Sequence, residues 1–256
     1  MHKPSGLIVL ALFFYTSHSF AAVNYEEFLQ VKQALYQTFK VIHGQENEVL
    51  TINKVNEGLD ETYWWDIDMV HASYVHVQEG DQTFHNIYLM GGFARIEEMT
   101  PDGLLITGCH EMAHGIGGAP RKNPSVYSDF RSSTEGQSDY FATKVCLPVA
   151  LGFLRPMREI HQKPIYEELC SSGPHQIEFC LRMMMALESD VAYFNDHLGA
   201  DVSFEKYSTH IQYQLNLEPT YYPDGQCRLD TMINGILGLE RSECWFPGGE
   251  ANGTWR

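Results

Sequence analysis

Residues 110–114 read His-Glu-Met-Ala-His, and after a further twenty residues the chain reads Glu135-Gly136-Gln137-Ser138-Asp139. On a helix, residues four apart share a face, so His110 and His114 can turn their imidazoles toward one metal ion. Glu111 sits about 100° round the same helix, where it can reach a water beside that ion without ligating it. Zinc suits such a set, being borderline-soft, partial to imidazole and content with three protein ligands and a water. The chemistry implied is attack of a zinc-activated water on a carbonyl, with Glu111 taking the proton as general base and passing it to the leaving amine. That is peptide-bond hydrolysis.

Two arrangements compete for the third ligand. A longer motif asks for Gly three residues after the second histidine and a third histidine three residues later. Gly117 fits, but position 120 is Pro120 and the next histidine is His161. The other arrangement takes a glutamate from a second helix and an aspartate one turn later, and Glu135 and Asp139 are that pair. Glu135 then binds zinc, while Asp139 accepts the second ring N–H of a zinc-bound histidine and fixes its tautomer.

With these residues the chain resembles the thermolysin-like gluzincin metallopeptidases, whose pattern is HExxH followed by ExxxD on a later helix. The likeness covers about 30 residues and speaks mainly for the site. Four further strings resemble a group of exported bacterial gluzincins with no assigned substrate: Gly91-Gly92-Phe93-Ala94-Arg95, Cys109-His110-Glu111, Glu135 through Tyr140, and Cys227-Arg228-Leu229-Asp230-Thr231. The resemblance implies a zinc hydrolase. Other functions consistent with the residues are a non-catalytic zinc-stabilised binding module and a zinc amidase acting on cell-wall peptides. Glu111 separates the first of these from an enzyme, since a structural site wants a fourth ligand and has no use for that acid. An oxyanion donor is also required of a peptidase, and Tyr140, His175, His197, His210 and Arg228 are candidates.

The elements that must hold this site begin after a leader. Lys3 opens a basic stretch, residues 6–15 are apolar, and Ser19-Phe20-Ala21 ends in small residues, so residues 1–21 read as a signal peptide cleaved after Ala21. The apolar run is too short to span a bilayer. We expect an exported protein, periplasmic or secreted, with no membrane insertion after cleavage. Losing residues 1–21 removes Lys3 and no acid, which takes the formal net charge from −16 to −17. That balance argues against nucleic acid and against anionic membranes or polymers as partners, and the hydrolytic site implies a peptide or protein substrate.

Cys109, Cys146, Cys170, Cys180, Cys227 and Cys244 make an even set, read as three disulfides in an exported chain. Local spacing favours Cys170–Cys180 and Cys227–Cys244, leaving Cys109 with Cys146 to clamp the two metal-bearing helices together. Cys109 as an extra metal ligand is disfavoured, because adjacent helix residues diverge.

The expected fold is α+β and zincin-like: a small, mainly antiparallel sheet, then the metal helix, then a mostly helical, disulfide-stapled C-terminal half. Asn24 caps a helix on which Phe28, Val31, Leu35 and Phe39 share a face. Strands are expected over 48–55, 63–77 and 83–95, with turns at 56–58 and 78–81. Thr100-Pro101-Asp102 starts the metal helix and Gly115–Gly118 stops it. Ser133 or Thr134 caps the Glu135 helix, which runs to about Cys146, and another helix spans about 175–194, its Met183-Met184-Met185 run packing into the core. The 86–92 segment is a candidate edge strand for substrate, Gly91-Gly92 letting its backbone approach. The boundaries are thus a signal peptide over 1–21 and one catalytic domain over 22–249. A sheet part occupies about 22–118 and a helical part about 119–249, followed by a tail over 250–256 that contains the sequon Asn252-Gly253-Thr254.

Overall fold

The computed structural model of the chain describes residues 22–125, 129–156, 163–171 and 173–249. The signal-peptide reading of residues 1–21 and the tail with its sequon lie outside the described residues.

Helix α1, Tyr25–Ile42, opens with a reciprocal cap in which Asn24 accepts from the Glu27 N–H at 3.0 Å and Glu27 accepts from the Asn24 N–H at 3.0 Å. Its Phe28, Val31, Leu35 and Phe39 are buried, as the periodicity requires. The strands are β1, Glu48–Ile52, β2, Ala72–Glu79, and β3, Gln82–Leu89. Gly80, at φ +60°, turns the β2–β3 hairpin.

The sheet departs from expectation in three ways. It is mixed, because β1 runs parallel to β3 and only β2–β3 is antiparallel. The strand order is β1-β3-β2, so β3 is central and its 86–89 stretch has partners on both sides. It therefore offers no edge to substrate; β2 is the edge strand near the site. Residues Tyr63–Asp66 form a short helix, α2, closed by Thr62 Oγ1 donating to Asp66 Oδ2 at 2.7 Å. Trp65 leaves α2 to pack on Tyr25 and Phe28 with centroids 5.4 and 5.2 Å away, an aromatic contact that a β-rich composition disguises. Gly91-Gly92 starts another short helix, α3, Gly91–Ala94, packed so closely on Trp65 and Asp68 that no Cβ fits at either glycine.

Helix α4, Pro101–Ile116, follows a Thr100 cap that accepts from Gly103 N–H at 3.0 Å. Almost every residue in α4 is buried, so it is the spine of the molecule and not a surface helix. Asp102 in its first turn receives two bonds of 2.7 Å from Arg182. That guanidinium ties it to α8, Ile177–Ala192. Between them in the chain comes α5, Glu135–Phe141, which continues through a π-helical turn, Ala142–Cys146, into α6, Leu147–Ala150. Thr134 holds the N-cap position of α5 without a side-chain cap bond. The remaining helices are α7, Pro164–Cys170, and α9, Gly225–Leu237, capped by Asp224 accepting from Cys227 N–H at 2.8 Å.

Three disulfides link Cys109 to Cys146, Cys170 to Cys180 and Cys227 to Cys244. The first joins α4 to the π-helical turn with a Cα separation of 5.7 Å. Leu35 of α1, Leu104 and Met112 of α4, Ile87 of β3 and Met184 of α8 meet in one core. Met183 and Met184 are wholly buried there, which makes the methionine run packing.

Candidate metal centre

His110 and His114 lie on one face of α4 with their ring centroids 4.8 Å apart. One ligand atom each from His110, Glu111 and His114 lies within 4.8 Å of the others, and all three residues are buried. This group could hold a metal ion. Glu135, at the first turn of α5 and 2 % exposed, faces the same point: its Oε2 is 3.1 Å from His110 Nε2 and its Oε1 is 3.6 Å from His114 Nε2.

The other ring nitrogen of each histidine is already taken. His114 Nδ1 lies 3.0 Å from the Ser133 carbonyl and 3.0 Å from Ser138 Oγ. A carbonyl only accepts, so Nδ1 carries the hydrogen and Nε2 keeps its lone pair. Burial depresses the basicity of His114 to a pKa of about 4, which holds that ring neutral at pH 7. His110 Nδ1 donates to Asp139 Oδ1 at 2.7 Å. Burial opposes charge on His110, but the Asp139 carboxylate, helped by Glu135, outweighs it and lifts its pKa to about 10. The carboxylates on either side thus favour the protonated form of the His110 ring.

Asp139 is held in turn by Arg228 of α9, whose Nε donates to Oδ2 and Nη2 to Oδ1, each at 2.8 Å. Burial alone would raise the Asp139 pKa, yet the Arg228 charge and its bonds bring it below the usual range. A chain therefore runs from Arg228 through Asp139 to His110. Lys122, from the loop between α4 and α5, donates to Glu135 Oε1 at 2.6 Å. Glu135 is held well below the ordinary carboxylate range: burial opposes this, while His114, His110 and Lys122 impose it.

Glu111 differs from its neighbours. Its pKa is pushed up to about 7, chiefly by desolvation and further by the Glu135 charge, which together outweigh the opposing charge of His110. A carboxyl poised there both takes and returns protons near neutral pH.

Tetrahedral bonds of about 2.0–2.1 Å put neighbouring ligand atoms about 3.3 Å apart. The 3.1 and 3.6 Å gaps between Glu135 and the two Nε2 atoms straddle that value. The donor set and its spacing could hold a metal ion.

These residues line a cleft of about 820 Å³ that is also lined by His71 and by β2 from Ala72 to His76. Of the expected oxyanion donors only Arg228 reaches the cleft, and it is spent on Asp139. Tyr140 donates to the Leu239 carbonyl, His175 packs on Phe179, His197 stacks on Tyr193, and His210 pairs with Gln212. Tyr222 and Lys122 face the cleft instead, neither marked by any local pattern. Asp190 also lines it, with Oδ2 closed to solvent and no hydrogen-bond partner, and its burial raises its pKa to about 7.

No family model matches the chain, and no curated protein or solved structure matches it. Three disulfides suit an oxidising compartment. No helix among the described residues is long and apolar enough to cross a membrane.

Proposed function

We propose that the protein is an exported, zincin-like zinc metallopeptidase that hydrolyses peptide bonds in its cleft. The observation that carries this reading is the convergence of His110 Nε2, His114 Nε2 and the Glu135 carboxylate on one buried point with Glu111 alongside. A purely structural zinc site is closed by a fourth protein ligand and has no need of an acid tuned to about 7.

His110, His114 and Glu135 would hold the zinc, which when bound acts as a Lewis acid toward the scissile carbonyl and the attacking water. Asp139 keeps the Nδ1 hydrogen on His110 and so directs its Nε2 into the cleft; Ser133 does the same for His114. Glu111 accepts a proton from water as its oxygen attacks the carbonyl carbon, then returns that proton to the amine as the C–N bond breaks. Tyr222, which lines the cleft, would supply a donor for the developing oxyanion. An extended peptide would lie along β2, whose outer edge pairs with no strand among the described residues.

Digestion of denatured casein by the purified protein tests the reading. Cleavage should stop with 1,10-phenanthroline and return with added zinc. No cleavage of casein or of a random peptide library by zinc-loaded protein, or cleavage indifferent to the chelator, would overturn it.

A further inference from the structure

A second set of donor atoms meets where the end of α1, β1 and β3 come together. His43 ends α1, Glu48 begins β1, and His85 lies in the middle of β3. The loop between α1 and β1 brings the first two together, and the parallel β1–β3 register, Leu50 against His85, brings the third. Both His43 Nε2 and His85 Nε2 point at the same oxygen, Glu48 Oε2, the latter at 2.8 Å. The ligand atoms of the three residues lie within 4.8 Å of one another.

Two features set this cluster apart from an ordinary ion pair. One carboxylate oxygen serves two imidazoles, so one negative charge would have to balance two rings. Moreover, His85 Nδ1 is bonded to the Tyr74 hydroxyl at 2.8 Å, which leaves Nε2 as the nitrogen turned to the cluster, the usual state of a ligating histidine. Gly115 of α4 makes this possible, since a Cβ there would lie 2.5 Å from both His85 Nδ1 and the Tyr74 hydroxyl.

We propose that His43, Glu48 and His85 form a second, independent metal site for a zinc-class divalent cation. Two imidazole nitrogens and one carboxylate oxygen select zinc or its borderline neighbours, whereas calcium and magnesium call for oxygen ligands throughout. His43 and Glu48 side chains are each 19 % exposed, which gives the ion a path in and a position for water. The metal ties the end of α1 to β1 and β3. Through His85 it also fixes Tyr74, whose ring lines the cleft with its centroid 6.4 Å from that of His114. The ion thus braces the wall of the catalytic cleft and takes no part in the reaction.

The site stands on residues other than those of the proposed peptidase centre, and zinc titration of the purified, metal-stripped protein separates the two. The wild type should bind two zinc ions per chain, while His43→Ala and Glu48→Gln should each bind one. His114→Ala should also bind one, and His43→Ala/His114→Ala none. His43 ends a helix and is partly exposed, so its replacement preserves the fold where loss of buried His85 would not; circular dichroism checks this. One zinc in the wild type that survives His43→Ala and Glu48→Gln but not His114→Ala overturns the second site and spares the first. One zinc that survives His114→Ala but not His43→Ala supports the second site and removes the peptidase reading. Two zinc ions retained by both His43→Ala and Glu48→Gln, or none in the wild type, refutes the inference.

Discussion

Replacing Arg228 with methionine removes a guanidinium that grips both oxygens of Asp139 at 2.8 Å, with Asp139 1 % exposed and Arg228 13 %. Deleting one member of a buried pair costs about 3–5 kcal/mol, because the other charge stays behind without a partner. Here His110 still donates to Asp139 at 2.7 Å, so the loss should fall at the lower end, about 3 kcal/mol. For a chain of this size that lowers Tm by about 6–12 °C in the metal-free protein. A second effect appears only with zinc. Asp139 then orients His110 less firmly, and outer partners of this kind are worth about 10–100-fold in metal affinity. At saturating zinc the stabilisation by ligand falls by a further 1.4–2.7 kcal/mol or about that, since each tenfold in affinity is about 1.4 kcal/mol. The assay is thermal unfolding with and without zinc, beside a competition titration against a chromophoric chelator. Arg228→Met/Asp139→Asn, which removes both charges, should regain most of the stability and little of the affinity. A Tm within about 2 °C of wild type together with unchanged zinc affinity would refute the Arg228–Asp139–His110 chain.

Two further outcomes follow from the same geometry. Because His110 is held up to a pKa of about 10, zinc must displace its Nε2 proton, and Glu111, near 7, gives up the fraction it still carries. Calorimetry in buffers of different ionisation enthalpy should show between about one and one and a half protons released per zinc at this centre at pH 7, with affinity rising as pH rises. Release of none would contradict the charged His110; His43→Ala protein isolates the signal. Opening Cys109–Cys146 by Cys109→Ser/Cys146→Ser frees a loop of 37 residues, which the chain-entropy relation puts at about 4 kcal/mol. Zinc affinity should weaken as well, since α4 and α5 are no longer clamped; an unchanged affinity would show that the bridge serves the fold alone.

The helices were legible where one face or one cap decided them. Phe28, Val31, Leu35 and Phe39 declare α1, and Thr100-Pro101 declares the start of α4. His110 and His114, then Glu135 and Asp139, share faces by simple i, i+4 spacing. What escaped was set by contacts between segments far apart in the chain. Strand direction is chosen by the partner, so nothing within Glu48–Ile52 says that it runs parallel to β3. The aromatic run at Tyr63–Asp66 suits a strand, but its tryptophan fills a gap against α1 and the backbone curls to deliver it. Arg228 stands 89 positions from Asp139, and Lys122 reaches Glu135 from an irregular loop, so neither carries a periodic signal. His43, Glu48 and His85 escaped for the same reason: three elements supply one residue each.

The most direct measurement compares Glu111→Gln with wild type in a single preparation, each assayed for bound zinc and for casein cleavage. The glutamine keeps the shape of the side chain but cannot take a proton from water. The variant should hold as much zinc as wild type and the same fold, and lose about 100- to 10,000-fold in cleavage rate. Full zinc content with cleavage near the wild-type rate would contradict the assignment of Glu111 as the base.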